Sequence, residues 1–323
     1  MDFRLGYVAN CLSLDLSASH TVRVAKATSA RLNELIALNL QELEQILLFN
    51  EHHGIQVYRI GSSLVPLASH RVVRVRWWRT FARDLERIGK IALRSGQRLS
   101  LHPSPAGASL ASARQEVRDA AIEELIYSTR VLDLLGQGPE ARVVVHVGGA
   151  APDRPTALAS AHRFLDEMPD DARRRIVIEH DDRVWSAREV LPLATEHGLP
   201  LLADCLHNAV LPSTPALSME QLFRMAARTW HALGLRPKHH IASQAPGRKP
   251  GAHSDVILRE DWLRIRAALK DPADLMIEAK EKDFALFELR DFEAELRQAE
   301  LQREAPRRPS APLPSFESPS ASL

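Results

Sequence analysis

The chain of 323 residues is short of sulfur, with only two cysteines, Cys11 and Cys205. That excludes a framework of disulfide bridges. Its start lacks the basic-then-apolar pattern of a secretory signal, so a reducing cytoplasm is the expected compartment. No apolar run approaches the roughly 20 residues that cross a bilayer, which leaves a membrane role without support. Net charge is nearly absent too: 42 basic against 41 acidic residues leaves +1. This neither requires nor excludes nucleic acid, because basic side chains can gather on one face while acids occupy another. The ordinary reading of any one arginine is a solvated helix surface. What the chain does have is apolar content, 45%, enough to bury a large core and to exclude disorder for most of its length.

Hydrophobic period then organises the chain. Eight short apolar runs stand out: FRLGYVA (3–9), IQVYRIG (55–61), RLSLH (98–102), RVVVHV (142–147), RIVIEH (175–180), PLLADC (200–205), HHIAS (239–243) and DLMIEA (274–279). Longer amphipathic stretches lie between them, such as the leucine-rich segment that stops at Gly54. Apolar strands without polar alternation, each followed by a helix, indicate parallel strands buried on both faces. Eight such units predict an α/β fold, a (β/α)8 TIM barrel, as one domain over residues 1–300. Residues 301–323, rich in proline and serine, read as a disordered tail.

A barrel of this kind carries its chemistry at the carboxyl ends of its strands. The residue types there are His102 (third strand), His146 (fourth), Glu179 (fifth), Asp204 with His207 (sixth), Lys238 and His240 (seventh), His253 in the following loop, and Glu278 (eighth). Taken singly, a strand histidine is ordinarily a hydrogen-bonded core residue, and His207 or His253 an ordinary surface one. An unpaired buried carboxylate is harder to explain away, because it must neutralise or find a partner. Five histidines and three carboxylates gathered at one end of successive strands suit a site of two or three divalent ions bridged by a carboxylate. The near absence of cysteine excludes a soft thiolate site.

The motifs RLGYV, YRIGSSLVPLASH, LHP, VVHVGG, IEHDD, ADCLHN, PKHHIAS, AHSD and MIEAKEKDFAL resemble, in order, those of the UV damage endonuclease (UvdE) family over about residues 3–290. The resemblance implies a TIM barrel related to endonuclease IV-type repair enzymes, cutting the DNA backbone 5′ to a lesion with a cluster of divalent ions. Manganese is the expected metal, with zinc or magnesium as alternatives. The implied ligands are His102, His146, Glu179, Asp204, His207, His240, His253 and Glu278, with Glu179 bridging two ions. Lys238 matches a lysine that can be carboxylated in the family. His70 and Tyr7 match positions lining its active site and lesion pocket; without the resemblance, a surface loop residue and a core aromatic would be the plain readings. Damaged double-stranded DNA is the implied partner and a monomer the expected state.

A basic rim for DNA is offered by HRVVRVRWWRT, with Arg71, Arg74, Arg76 and Arg79 beside Trp77 and Trp78, and by PGRKPG, with Arg248 and Lys249. Arginine positions phosphate and tryptophan can stack on bases, although tryptophans there also suit packing the next helix onto the barrel. Lys280 and Lys282 flank Glu278 and can screen phosphate or sit at the surface. Departures from the family concentrate after the third strand. Where it carries Gly-Gln-aromatic, a base-probing pair, this chain has Ser104, Pro105 and Ala106, which neither hydrogen-bond a base edge nor stack in that way. Cys11 and Gly61 also replace common family residues. The resemblance therefore implies an endonuclease with altered lesion choice; the alternative is a metal-dependent barrel enzyme acting on a small molecule or peptide.

Overall fold

A computed structural model describes residues 2–70, 75–104 and 107–304. Arg71, Arg74, Pro105, Ala106 and the segment 305–323 lie outside the described residues. Eight parallel strands close into a barrel in chain order: β1 (Phe3–Val8), β2 (Val57–Arg59), β3 (Arg98–Leu101), β4 (Arg142–His146), β5 (Ile176–Glu179), β6 (Leu201–Asp204), β7 (Lys238–Ile241) and β8 (Ala273–Ile277). All eight expected strands are present, with helices in the connections.

Local sequence explains these elements. The helix Ser29–His52 starts where the Thr28 side chain accepts a hydrogen bond from the Arg31 amide, and buries Leu32, Leu35, Ile36, Leu40, Leu43, Ile46 and Leu47. That spacing is one stripe of a 3.6-residue period. It stops before Gly54, whose φ of 60° a side chain would strain. The final helix, Lys282–Glu304, runs past the boundary expected at residue 300.

Strand alternation sorts the barrel interior into layers. At the amino ends, fully buried Asp274 accepts from Arg4 (2.6 and 2.7 Å), Arg98 (2.8 Å) and Arg236 (3.0 Å). Val144, Val177 and Leu202 pack with Trp230 and Leu235, while Val8, Val57 and Met276 form a second small cluster. Trp230 is tied down by an indole hydrogen bond of 2.8 Å to the Leu201 carbonyl. Gly6 permits β1 to approach β2, since a Cβ there would lie 2.1 Å from the Val57 carbonyl oxygen. With the lower barrel filled by apolar and ion-paired side chains, polar groups near the carboxyl ends face an open mouth.

Candidate metal centre

Pairing register brings the polar strand ends together. β4 and β5 place His146 opposite Glu179, and β6 and β7 place Asp204 opposite His240. His102 follows β3 directly. The fully buried Glu179 then meets four imidazoles: its Oε2 is 3.0 Å from His102 Nε2 and 3.5 Å from His146 Nε2, its Oε1 2.9 Å from His240 Nδ1 and 3.6 Å from His207 Nδ1. Glu278 Oε1 is 3.0 Å from His240 Nδ1, and its Oε2 is 3.8 Å from His253 Nδ1.

Three groups result whose ligand-type atoms lie within 4.8 Å of one another: His102, His146 and Glu179; Glu179, Asp204 and His207; Asp204, His240 and Glu278. Glu179 belongs to the first two. Asp204 belongs to the last two, a second shared carboxylate that sequence reasoning missed. Asp204 also caps the helix Cys205–Val210, with Oδ1 accepting from the His207 backbone amide at 2.8 Å. His207 Nδ1 is 3.0 Å from the His180 carbonyl oxygen. A carbonyl can only accept, so Nδ1 carries a proton there and Nε2 is the nitrogen left to face a metal.

The donor set fits divalent metal ions. Glu179 Oε2, Asp204 Oδ2 and His240 Nε2 are buried without a hydrogen-bond partner, an arrangement costly enough to demand another ligand. The 3.0 Å approach of His102 to Glu179 is not aligned as a hydrogen bond. Nitrogen and oxygen donors alone suit zinc, manganese or related ions.

The electrostatics are those of interleaved acids and imidazoles. Burial pushes the Glu179 carboxyl up, but the neighbouring His240, His146 and His102 imidazoles outweigh it and hold it well below the usual range. Glu278 is held well below as well: burial opposes, and Arg59 and His240 win. For Asp204 burial, helped by Glu179 and Glu278, wins over His207 and raises the carboxyl. Burial pushes His102 down to about 4. His207 moves up to about 9, because Asp204 and Glu179 overcome its burial.

The other expected residues fall differently. Lys238 is buried beneath His240 on the same strand face, its Nζ donating to Ser100 Oγ at 2.5 Å. His253 reaches the rim beside Glu278 but belongs to none of the three groups. Tyr7 corrects the expectation placed on it: it is fully buried, and its hydroxyl donates to Asn50 Oδ1 at 2.9 Å in the helix Ser29–His52, away from the mouth. Strand alternation explains this, since Val8 takes the inward position. His70 stands outside the three groups and lines cavities beside the loop after β2, one of them shared with Trp77 and Trp78. Trp77 is a second correction: 3% exposed, it packs its ring 5.7 Å from Tyr127 and is core, not a base-stacking platform. Trp78 lies under Arg130. Arg76 and Arg79 are exposed, as are Arg248 and Lys249. The loop bearing that last pair is braced by Gln244, whose side chain binds the Lys249 carbonyl (2.9 Å) and the Gly251 amide (2.8 Å). Lys280 pairs with Asp255 at 3.0 Å, and burial followed by Arg59 lowers Lys282.

Arg59, ending β2, was also missed. It forms a close ion pair with Glu278 at the mouth. An arginine closing a parallel strand inside a barrel was the available signal.

A sequence model of the family described as UV-endonuclease UvdE matches residues 3–305. The chain belongs to this family. Among UvdE relatives, the UV DNA damage endonuclease of Bacillus velezensis is 31% identical over 300 residues, covering 90% of this chain and 93% of that protein. The crystal structure of SacUVDE superposes with a TM-score of 0.85 at 30% identity, covering 91% of this chain and 99% of that one. Endonuclease IV from Thermus thermophilus, at 15% identity and a TM-score of 0.57 over 91% of this chain and 99% of its own, shares the barrel fold.

Proposed function

We propose that this UvdE-family chain is a UV damage endonuclease that hydrolyses the DNA backbone 5′ to a lesion in double-stranded DNA, using two or three divalent ions, with Mn2+ the working metal. The observation that carries this reading is the run of three ligand groups linked through Glu179 and Asp204 at the barrel mouth. Divalent ions held there supply Lewis-acid polarisation of the phosphate and a water of lowered pKa. His102, His146, Glu179, Asp204, His207, His240 and Glu278 are the proposed ligands, with His253 completing the rim.

The protein's own part is geometric. Glu179 and Asp204 fix the spacing between neighbouring groups, the His180 carbonyl fixes the ring of His207, and the filled lower barrel keeps substrate at the mouth. Lys238 is assigned as the lysine that carries the family's carboxylation, adding an anionic oxygen beneath the cluster. His70 stays assigned to the lesion side of the mouth. Arg248 and Lys249, exposed on a braced loop, are proposed phosphate contacts with Arg76. Lesion choice is proposed to be relaxed, since Ser104 and its two successors cannot probe bases as the family's pair does. The proposal covers a cytoplasmic monomer whose catalytic domain spans residues 1–300, followed by a tail.

The test is a nicking assay with purified protein and Mn2+ on UV-irradiated, abasic and undamaged plasmid. Nicking of damaged DNA that a chelator abolishes supports the reading. Absence of nicking on all three substrates, with metal bound, defeats it.

A further inference from the structure

Arg59 is the mouth's half-used cation. Its Nη1 engages Glu278 Oε1, the same oxygen that His240 Nδ1 approaches at 3.0 Å. Among the described residues, the one hydrogen bond of this guanidinium is that from Nη1 to Glu278. The side chain is 16% exposed, so its remaining donors can be reached from the mouth. Two residues beyond the inward Val57 on the same strand face, Arg59 places its charge at the carboxyl end of the barrel, against Glu278. The planar guanidinium fork matches two oxygens of a phosphate.

The guanidinium fork can bind two oxygens at once. Here one hand holds Glu278 while Oε2 faces His253, and the other donors remain unspent at the mouth where a phosphate bound by the ligand groups has to lie. Building on the endonuclease reading above, we propose that Arg59 contacts the scissile phosphate directly. Nη1 stays on Glu278, while Nε and Nη2 donate to a non-bridging oxygen and stabilise the charge that develops as the 3′ oxygen leaves. No proton is transferred by the guanidinium; it acts as a fixed electrostatic partner.

The experiment compares the full-length wild type with Arg59→Gln and Arg59→Lys. Three quantities are read: Mn2+ bound per chain, single-turnover nicking of UV-damaged duplex, and affinity for that duplex against salt with Ca2+ replacing Mn2+. The expected result for Arg59→Gln is unchanged Mn2+ content and a nicking rate lower by about 10²–10³-fold. Its slope of log affinity against log salt should be shallower by about one. Arg59→Lys should restore the slope but not the rate, because it keeps the charge and loses the fork. Mn2+ loss in step with the rate would overturn the proposal, reducing Arg59 to a support for Glu278; so would unchanged rate and slope. Thermal melts by circular dichroism identify a misfolded variant, in which case the conservative lysine variant decides. A wild-type chain that fails to nick defeats the endonuclease reading, and the salt-slope comparison still decides the place of Arg59.

Discussion

Replacing Glu179 by glutamine preserves the side chain's shape while removing the charge that four imidazoles face at 2.9–3.6 Å. Glu179 is shared by two of the three ligand groups, whereas Glu278 and His102 each belong to one. The structure therefore predicts unequal losses. With each group holding one ion, E179Q should fall from three bound ions to one, and E278Q or His102→Asn from three to two. Partners that only orient a ligand are already worth about 10–100-fold in metal affinity. A direct ligand shared between two ions should exceed the upper end of that range at both. One hundred-fold corresponds to about 2.7 kcal/mol, so combined loading weakens by more than about 5 kcal/mol, beyond rescue by micromolar Mn2+. Metal content is measured by inductively coupled plasma mass spectrometry after gel filtration, and nicking of UV-irradiated plasmid is followed in parallel, with a fall of at least about 10³-fold expected. If E179Q retained the wild-type metal content, or nicked within tenfold of wild type, the bridging role assigned to Glu179 would be wrong.

Other outcomes follow from features away from the ligands. Asp274→Asn removes the single carboxylate on which Arg4, Arg98 and Arg236 converge, and should destabilise the barrel by about 3–5 kcal/mol. Calorimetry should show melting about 5–8 °C lower, and an unchanged melting temperature refutes the account. Burial opposes ionisation of Asp274, but Arg4 and Arg98 hold its carboxyl below the usual range. Its contribution is therefore present above the unfolded value of about 3.9 and lost as pH falls through the lower folded value, so the gap between wild type and D274N should narrow in acid. On the DNA side, Arg248→Ala and Lys249→Ala should each reduce the salt slope of duplex binding by about one. Trp77→Ala should leave that slope alone and lower stability by about 3–5 kcal/mol; a changed slope with intact stability would return Trp77 to the interface.

Much of this was legible because the decisive signals were local. Strands such as VVVH and IVIE show no polar alternation, which two buried faces require, and histidines or carboxylates at their ends stand out against that background. The barrel and the members of the three ligand groups could be read this way. What escaped depends on relations between strands. Tyr7 points to a helix because closure of the barrel fixes which alternate residues of β1 face inward, and no single strand carries that information. Trp77 is as plausible on a surface as in a core until the neighbouring Tyr127 is seen against it. Arg59 emerges only when the end of β2 meets Glu278 after β8, with β1 between them, and the double membership of Asp204 only when the ends of β5 to β8 are set together. Arg71, Arg74, Pro105 and Ala106 lie outside the described residues, so the probing segment rests on sequence alone.

Asp204 ends β6, opens the next helix through one oxygen, and leaves the other unclaimed beside His207, three residues on. One turn of backbone thereby holds two candidate ligands in a claw whose jaw angle is set by the peptide chain instead of by rotamer freedom. A claw of this kind is shaped before any ion arrives, so little ordering remains to be done at binding. It also ties two properties that are usually adjusted separately: any change that loosens the start of this short helix alters the spacing between neighbouring ligand groups.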